Sequence, residues 1–202
     1  MHCPACGIET REDAQFCGGC GTSLGVPAAE PSNSMLARML GAARLNVHTF
    51  EEVEADTKAT KQAMTVVAVV ALATGVGAIG TTGLVGMLSG LGIALVGWVI
   101  WAWIIYLVGT KLLHTQSTHA TWGQLARALG FAQSPGVLKV LSILPGIGGL
   151  IFVMVSIWQM VAMVIAVRQA LDFTSTWRAV GVVVVAFLPY LIFMMIILSL
   201  LT

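Results

Sequence analysis

Residues 88–110 read LSGLGIALVGWVIWAWIIYLVGT, and none of these 23 side chains is charged. About 20 consecutive apolar residues are what a helix needs to cross the hydrocarbon core of a bilayer. Working outward, similar runs stand at about 62–80, 148–168 and 179–201. The composition agrees with a membrane class. Hydrophobic residues make up 57% of the 202 and charged residues 9%, against about 25% charged in a soluble domain. Charge is also unevenly placed. Residues 62–202 hold one acid, Asp172, and five bases, Lys111, Arg127, Lys139, Arg168 and Arg178, while the other eight acids and five bases lie in 1–61. A formal net charge of +1 gives no pointer to a nucleic-acid partner.

One further run, WGQLARALGFAQSPGVLKVLSIL (122–144), is broken by Pro135 and Gly136 and carries Lys139. It reads as an amphipathic helix on the membrane surface, a kink, then a short helix into the bilayer, with Lys139 snorkelling to the nearer interface. A re-entrant hairpin is the alternative. The positive-inside rule favours a crossing. Lys58 and Lys61 put the start of the first span inside, and the uncharged 81–87 loop suits the outside. Lys111 and Arg127 return inside, PGIGG (145–149) is outside, and Arg168 and Arg178 are inside. Five spans result, with the N-terminus in the cytoplasm and the C-terminus outside. The expected fold is an all-α polytopic membrane protein with a small N-terminal metal-binding domain.

That domain rests on four cysteines, the only ones in the chain: Cys3-x2-Cys6, ten residues, then Cys17-x2-Cys20. Each CxxC forms a knuckle that aims two sulfurs at one point, and Gly7, Gly18, Gly19 and Gly21 let the backbone turn beneath them. Four thiolates suit a closed, structural, tetrahedral zinc site. Twenty residues cannot fold on apolar burial, so the metal would supply the folding energy. Iron in the same knuckles and paired disulfides are the alternatives. Disulfides need an oxidising compartment, which the cytoplasmic N-terminus argues against. CPxCG and FCxxCG resemble the zinc ribbons at the N-termini of many prokaryotic membrane proteins. With Arg11 facing Glu9, Glu12 and Asp13, this ribbon is a protein-docking module rather than a nucleic-acid reader.

The expected organisation is a ribbon over 1–24, a flexible linker over 25–34, juxtamembrane helices over 35–61 and a membrane domain over 62–202. MLARMLGAARL (35–45) reads as a helix on the membrane surface or on the protein's own cytosolic face. Thr49-Phe50-Glu51-Glu52 matches a capping box and predicts a helix start at Thr49. The acidic run Glu51, Glu52, Glu54 and Asp56 is a solvated face or a second docking surface. GVGAIG (75–80) is a literal GxGxxG. No acid follows between Asp56 and Asp172, so a dinucleotide site is excluded. The glycines of this stretch, and the pair Gly86 and Gly90, are expected to let helices approach closely. Asp172, between Arg168 and Arg178, reads as an ion pair or cap.

From Thr49 onward the chain resembles the Yip family of five-span membrane proteins. The stretches that carry this are FEEVEAD (50–56), GQLARALGFAQSPG (123–136), ILPGIG (143–148) and IWQMVAMVIAVRQALDFTSTWRAV (157–180). Eukaryotic relatives act in vesicle traffic and bind Rab-type GTPases. Their Asp-Leu-Tyr-Gly-Pro motif is absent here, where the only tyrosines are Tyr106 and Tyr190, so Rab binding is not implied.

The functional expectation is a non-enzymatic scaffold or membrane-organising protein. It would sit in a prokaryotic cytoplasmic membrane, bound to lipid and to a protein partner through the ribbon or the acidic helix, and it could form a homo-oligomer. Its structural cofactor is Zn2+, held by Cys3, Cys6, Cys17 and Cys20. No nucleophile–base set or catalytic acid pair is visible. A small transporter or channel is the alternative, and its candidate polar residues are Lys139, Gln159, Arg168, Asp172 and Arg178.

Overall fold

The computed structural model describes residues 2–3, 6–9, 19–20, 34–115, 118 and 120–201, with backbone alone for 198, 200 and 201. Cys17, nearly all of the 25–34 linker, and Thr202 lie outside the described residues. The chain divides into two units, Met1–Ser34 and Met35–Thr202.

The regular elements described in the second unit are all helices: α1 (Met35–Ala43), α2 (Val47–Ala55), α3 (Ala59–Leu107), α4 (Trp122–Ala132), α5 (Gly148–Ala170) and α6 (Thr176–Leu201). A π-helical turn, Val108–Leu112, ends α3, and a 3-10 helix, Ser134–Ile143, follows α4. Among the described residues, three helical stretches are long and apolar enough to cross a membrane: Ala59–Leu112, Gly148–Ala170 and Thr176–Ile197. The first doubles back on itself. Gly83 has φ 64° and ψ −175°, a conformation open only to glycine. A Cβ on Gly75 would lie 2.9 Å from Met87, twelve residues on, a separation of about 18 Å in a straight helix. The expected 81–87 loop is therefore a reversal at one residue, with helix on both sides.

The first arm of α3 runs alongside α4 and the 3-10 helix, in the same direction. A Cβ on Gly130 would meet that of Ala63 at 2.8 Å, and one on Gly136 would meet Val70 at 2.6 Å. A Cβ on Gly77 would collide with the Lys139 carbonyl. Gly77 thus does what was expected of the 75–80 glycines. Gly90 does not, because a Cβ there would meet nothing within 4 Å.

The core gathers at the end of the bundle that carries α2. Phe50, Val53, Ile105, Leu125, Leu129 and Phe131 are fully buried there. Elsewhere large apolar side chains stand on the surface, among them Val85, Leu88, Leu150, Met154, Leu188 and Met195. Apolar exposure on this scale belongs in contact with lipid.

Three sequence expectations change. First, α4 does not lie on a surface: Leu125, Arg127, Ala128, Leu129, Gly130 and Phe131 are all buried. Second, the segment after Pro135 is 3-10 rather than α. Its three-residue period puts Gly136, Lys139 and Ser142 on one face and Leu138, Leu141 and Leu144 on another. The leucines are exposed, while Lys139 and Ser142 are the residues that crowd Gly77. Third, α2 starts earlier than Thr49. Its N-cap is Asn46, whose side chain accepts from the His48 N–H. Thr49 is buried inside the helix, against Gly41. The real capping box is at α4, where Thr121 and Gln124 bond reciprocally. α1 packs one face on the protein, with Arg38 and Ala42 buried, and leaves Leu36 and Leu40 exposed.

Candidate functional site

In the first unit, the Cys3 N–H donates to the Ile8 carbonyl and the Gly7 N–H to the Cys3 carbonyl, both at 2.9 Å. His2 and Glu9 form an isolated antiparallel bridge. Gly7 takes φ 74°, the turn required beneath the first pair of sulfurs. This knuckle brings Cys3, Cys6 and Cys20 together, with all three sulfurs within 4.8 Å of one another. Cys3 Sγ and Cys20 Sγ are 3.6 Å apart. Four sulfurs at about 2.3 Å from a tetrahedral zinc stand roughly 3.8 Å from one another, so the donor set fits such an ion. Three close cysteines could hold a metal here.

In the second unit, two arginines organise the end near α2. Arg38, only 2% exposed, ties α1 to α2 and to the start of α3. Its Nε donates to Glu52 Oε1 at 2.9 Å, its Nη1 to Gln62 Oε1 at 2.9 Å and its Nη2 to Asp56 Oδ2 at 2.7 Å. The Arg38 hydrogen bond, helped by the Lys58 backbone N–H, holds the Asp56 carboxyl below its ordinary value. Arg127 is also buried. It reaches from α4 to the C-terminal turn of α2, donating from Nε to the Val53 carbonyl at 3.0 Å and from Nη2 to the Glu54 carbonyl. A cation there satisfies end carbonyls and meets the negative pole of the helix. Glu54, half-buried alongside, accepts from Gln124 at 3.1 Å. Burial, reinforced by the nearby charge of Asp172, pushes its carboxyl up to about 7.

The candidate polar residues of the membrane domain separate into two groups. Lys139 and Gln159 line one cavity of about 370 Å³, with Gln133, Ser156, Trp98 and Tyr190. Gln159 is buried, and its Nε2 donates to the Gln133 carbonyl at 3.2 Å and to Gln133 Oε1 at 2.9 Å. The Lys139 ammonium sits 4.7 Å from the centre of the Phe152 ring. The indole Nε1 of Trp98 is buried and has no hydrogen-bond partner among the described residues. Arg168, Asp172 and Arg178 stand apart from these, around the α5–α6 connection. Arg168 Nε donates to the Phe173 carbonyl at 3.3 Å, and Arg178 lies over the Phe173 ring. Asp172 takes a left-handed φ of 53°. That group builds the turn between α5 and α6.

Sequence reading gave no role to Arg38, Gln133 or Trp98, and it named Glu54 only as part of the acidic run. The partners of Arg38 lie 14 to 24 residues away, and the Glu54 partner Gln124 lies 70 away, beyond any local pattern.

The model of the Yip1 domain family matches residues 46–198. No curated protein and no solved structure matches the chain.

Proposed function

Because the chain belongs to the Yip1 domain family, we propose that it is an integral membrane scaffold without catalytic activity, and that its N-terminal unit is a zinc ribbon that docks a protein partner. The observation that carries this reading is the clustering of the Cys3, Cys6 and Cys20 sulfurs in a unit of its own, in a chain whose other unit is a lipid-facing bundle. In this reading Cys17 is the fourth ligand, and the ribbon, linker, juxtamembrane and membrane segments keep the bounds 1–24, 25–34, 35–61 and 62–202. The fully coordinated ion holds the docking surface in shape and has no open position for chemistry.

The bundle crosses the membrane five times, from a cytoplasmic N-terminus to an outer C-terminus. The third crossing is made by α4 and the 3-10 helix. Ten residues rise about 20 Å as 3-10, against about 15 Å as α. The pairings of Ala63 with Gly130 and of Gly77 with Lys139 support this depth, as do the exposed Leu138, Leu141 and Leu144.

Crosslinking and pull-down from native membranes test the docking role, comparing the intact chain with a Cys17→Ser/Cys20→Ser variant and reading metal content on both. A partner captured by the intact chain and lost with the metal is the expected result. A partner set unchanged by metal loss would remove the ribbon from docking. The cavity that joins Lys139 and Gln159 favours a second reading, a small transporter, which an uptake assay in liposomes tests.

A further inference from the structure

We propose that the cavity bounded by the two arms of α3, the 3-10 helix, α5 and α6 is a binding site for an anionic amphiphile, a single hydrocarbon chain that ends in a carboxylate or phosphate. Its volume of about 370 Å³ falls in the range of small-molecule sites, which run from about 300 to 1,000 Å³. Most of its wall is apolar, with Val67, Val70, Met163 and Val183 facing the space. Met160 and Phe187 line it and are also about half exposed on the apolar surface of the bundle. The cavity therefore opens sideways into the lipid-facing band, the route by which a hydrocarbon chain would enter.

The polar part of the wall is rich in donors. Lys139 brings a positive charge, and the residues that line the cavity include no Asp or Glu. Among the described contacts only the Phe152 ring faces that charge. A cation in such a setting is incompletely compensated. The indole of Trp98 adds aromatic surface to the same wall. An anionic head group compensates Lys139, while the chain fills the apolar part. A cationic head would meet Lys139 unfavourably, and an uncharged one would leave it uncompensated.

The test uses the full chain in phosphatidylcholine nanodiscs, titrated with dodecyl phosphate, laurate and dodecanol and followed by tryptophan fluorescence and native mass spectrometry. The two anions are expected to bind saturably, about tenfold or more tighter than dodecanol, as a charge-assisted hydrogen bond supplies. Lys139→Met should bring dodecyl phosphate down to the affinity of dodecanol, and Lys139→Arg should retain binding. Ala71→Leu, which fills the wall without touching a donor, should weaken all three ligands and keeps the test open should Lys139→Met fail to fold. Replacing part of the phosphatidylcholine by phosphatidylglycerol identifies the source of the head group. Competition with dodecyl phosphate points to a bilayer lipid, its absence points to a free amphiphile, and both keep the site. Equal affinity for dodecanol and dodecyl phosphate, no saturable binding, or a folded Lys139→Met variant with unchanged affinity would overturn the proposal.

Discussion

In the unit Met1–Ser34 the described side chains converge on sulfur, whereas in Met35–Thr202 they converge on small residues and two buried arginines. The contrast follows from what each stretch can bury. The first unit has Cys3 as its one buried hydrophobic residue among those described, with Ile8 half exposed. The described residues of so small a unit form no apolar core, and a metal is the usual replacement. The second unit has apolar surface in excess, so burial is not what it lacks. Its need is for close approach, which Gly77, Gly130 and Gly136 permit, and for satisfied helix ends, which Arg127 provides. On the proposed reading, one chain uses metal chemistry where little core is available and packing where greasy surface is abundant.

The largest expected effect breaks the comparison on the metal side. If zinc holds the first unit, its removal by chelation or by Cys20→Ser should abolish that unit's fold, a loss on the order of 10 kcal/mol by the affinity of structural zinc sites. Metal content and thiol accessibility would read this, and the unfolding midpoint of the bundle should not move. Next comes Arg38→Ala. Glu52 and Asp56 are each about a quarter exposed, so water would recover part of their loss. About 2–3 kcal/mol is expected, read as a lower denaturation midpoint in detergent micelles. Gly77→Val sharpens the packing side, because the new side chain meets backbone at Lys139. Overpacking of this kind costs about 1–3 kcal/mol, again read from the midpoint.

The last effect is the pH dependence from Glu54, which solvent screening of this half-exposed group reduces. Its ordinary carboxyl value of 4.5 rises to about 7 in the folded protein, so between these values the folded state holds more protons than the unfolded state. Stability contributed by this group is therefore present below pH 4.5 and declines as pH rises to about 7. Glu54→Gln should flatten the slope in that window and stabilise the protein above it. Asp172→Asn should lower the upper edge of the window and so narrow it. Denaturation midpoints measured from pH 4.5 to 8 would check both, and an unchanged slope in Glu54→Gln would contradict the assignment.

The long apolar runs were legible because length and charge depletion are properties of the local sequence. Residues 148–168 fall within α5 and 179–201 within α6. The hairpin of α3 was legible as two runs, but not its one-residue reversal. In TTGLVGM two glycines compete for the turn, and only Gly83 takes the positive φ. Thr49 and Asn46 are both good cap residues, and Thr49 lost because it is buried against Gly41, a tertiary contact. The 3-10 helix leaves a trace in the three-residue spacing of Leu138, Leu141 and Leu144, which Pro135 and Lys139 obscured. Of the site residues, the cysteine knuckle was legible from spacing. Lys139 and Gln159 were picked out only as isolated polar residues, and their shared cavity depends on α3, α5 and α6 closing around the 3-10 helix.

Hydrogen exchange on the full chain in lipid nanodiscs, with and without a zinc chelator, tests most directly whether the two units rest on different physics. The expected result is loss of amide protection confined to residues 1–24, with α2, α4 and the first arm of α3 unchanged. Protection in 1–24 that survives complete metal removal, or a loss that spreads through α2 and α4, would contradict it.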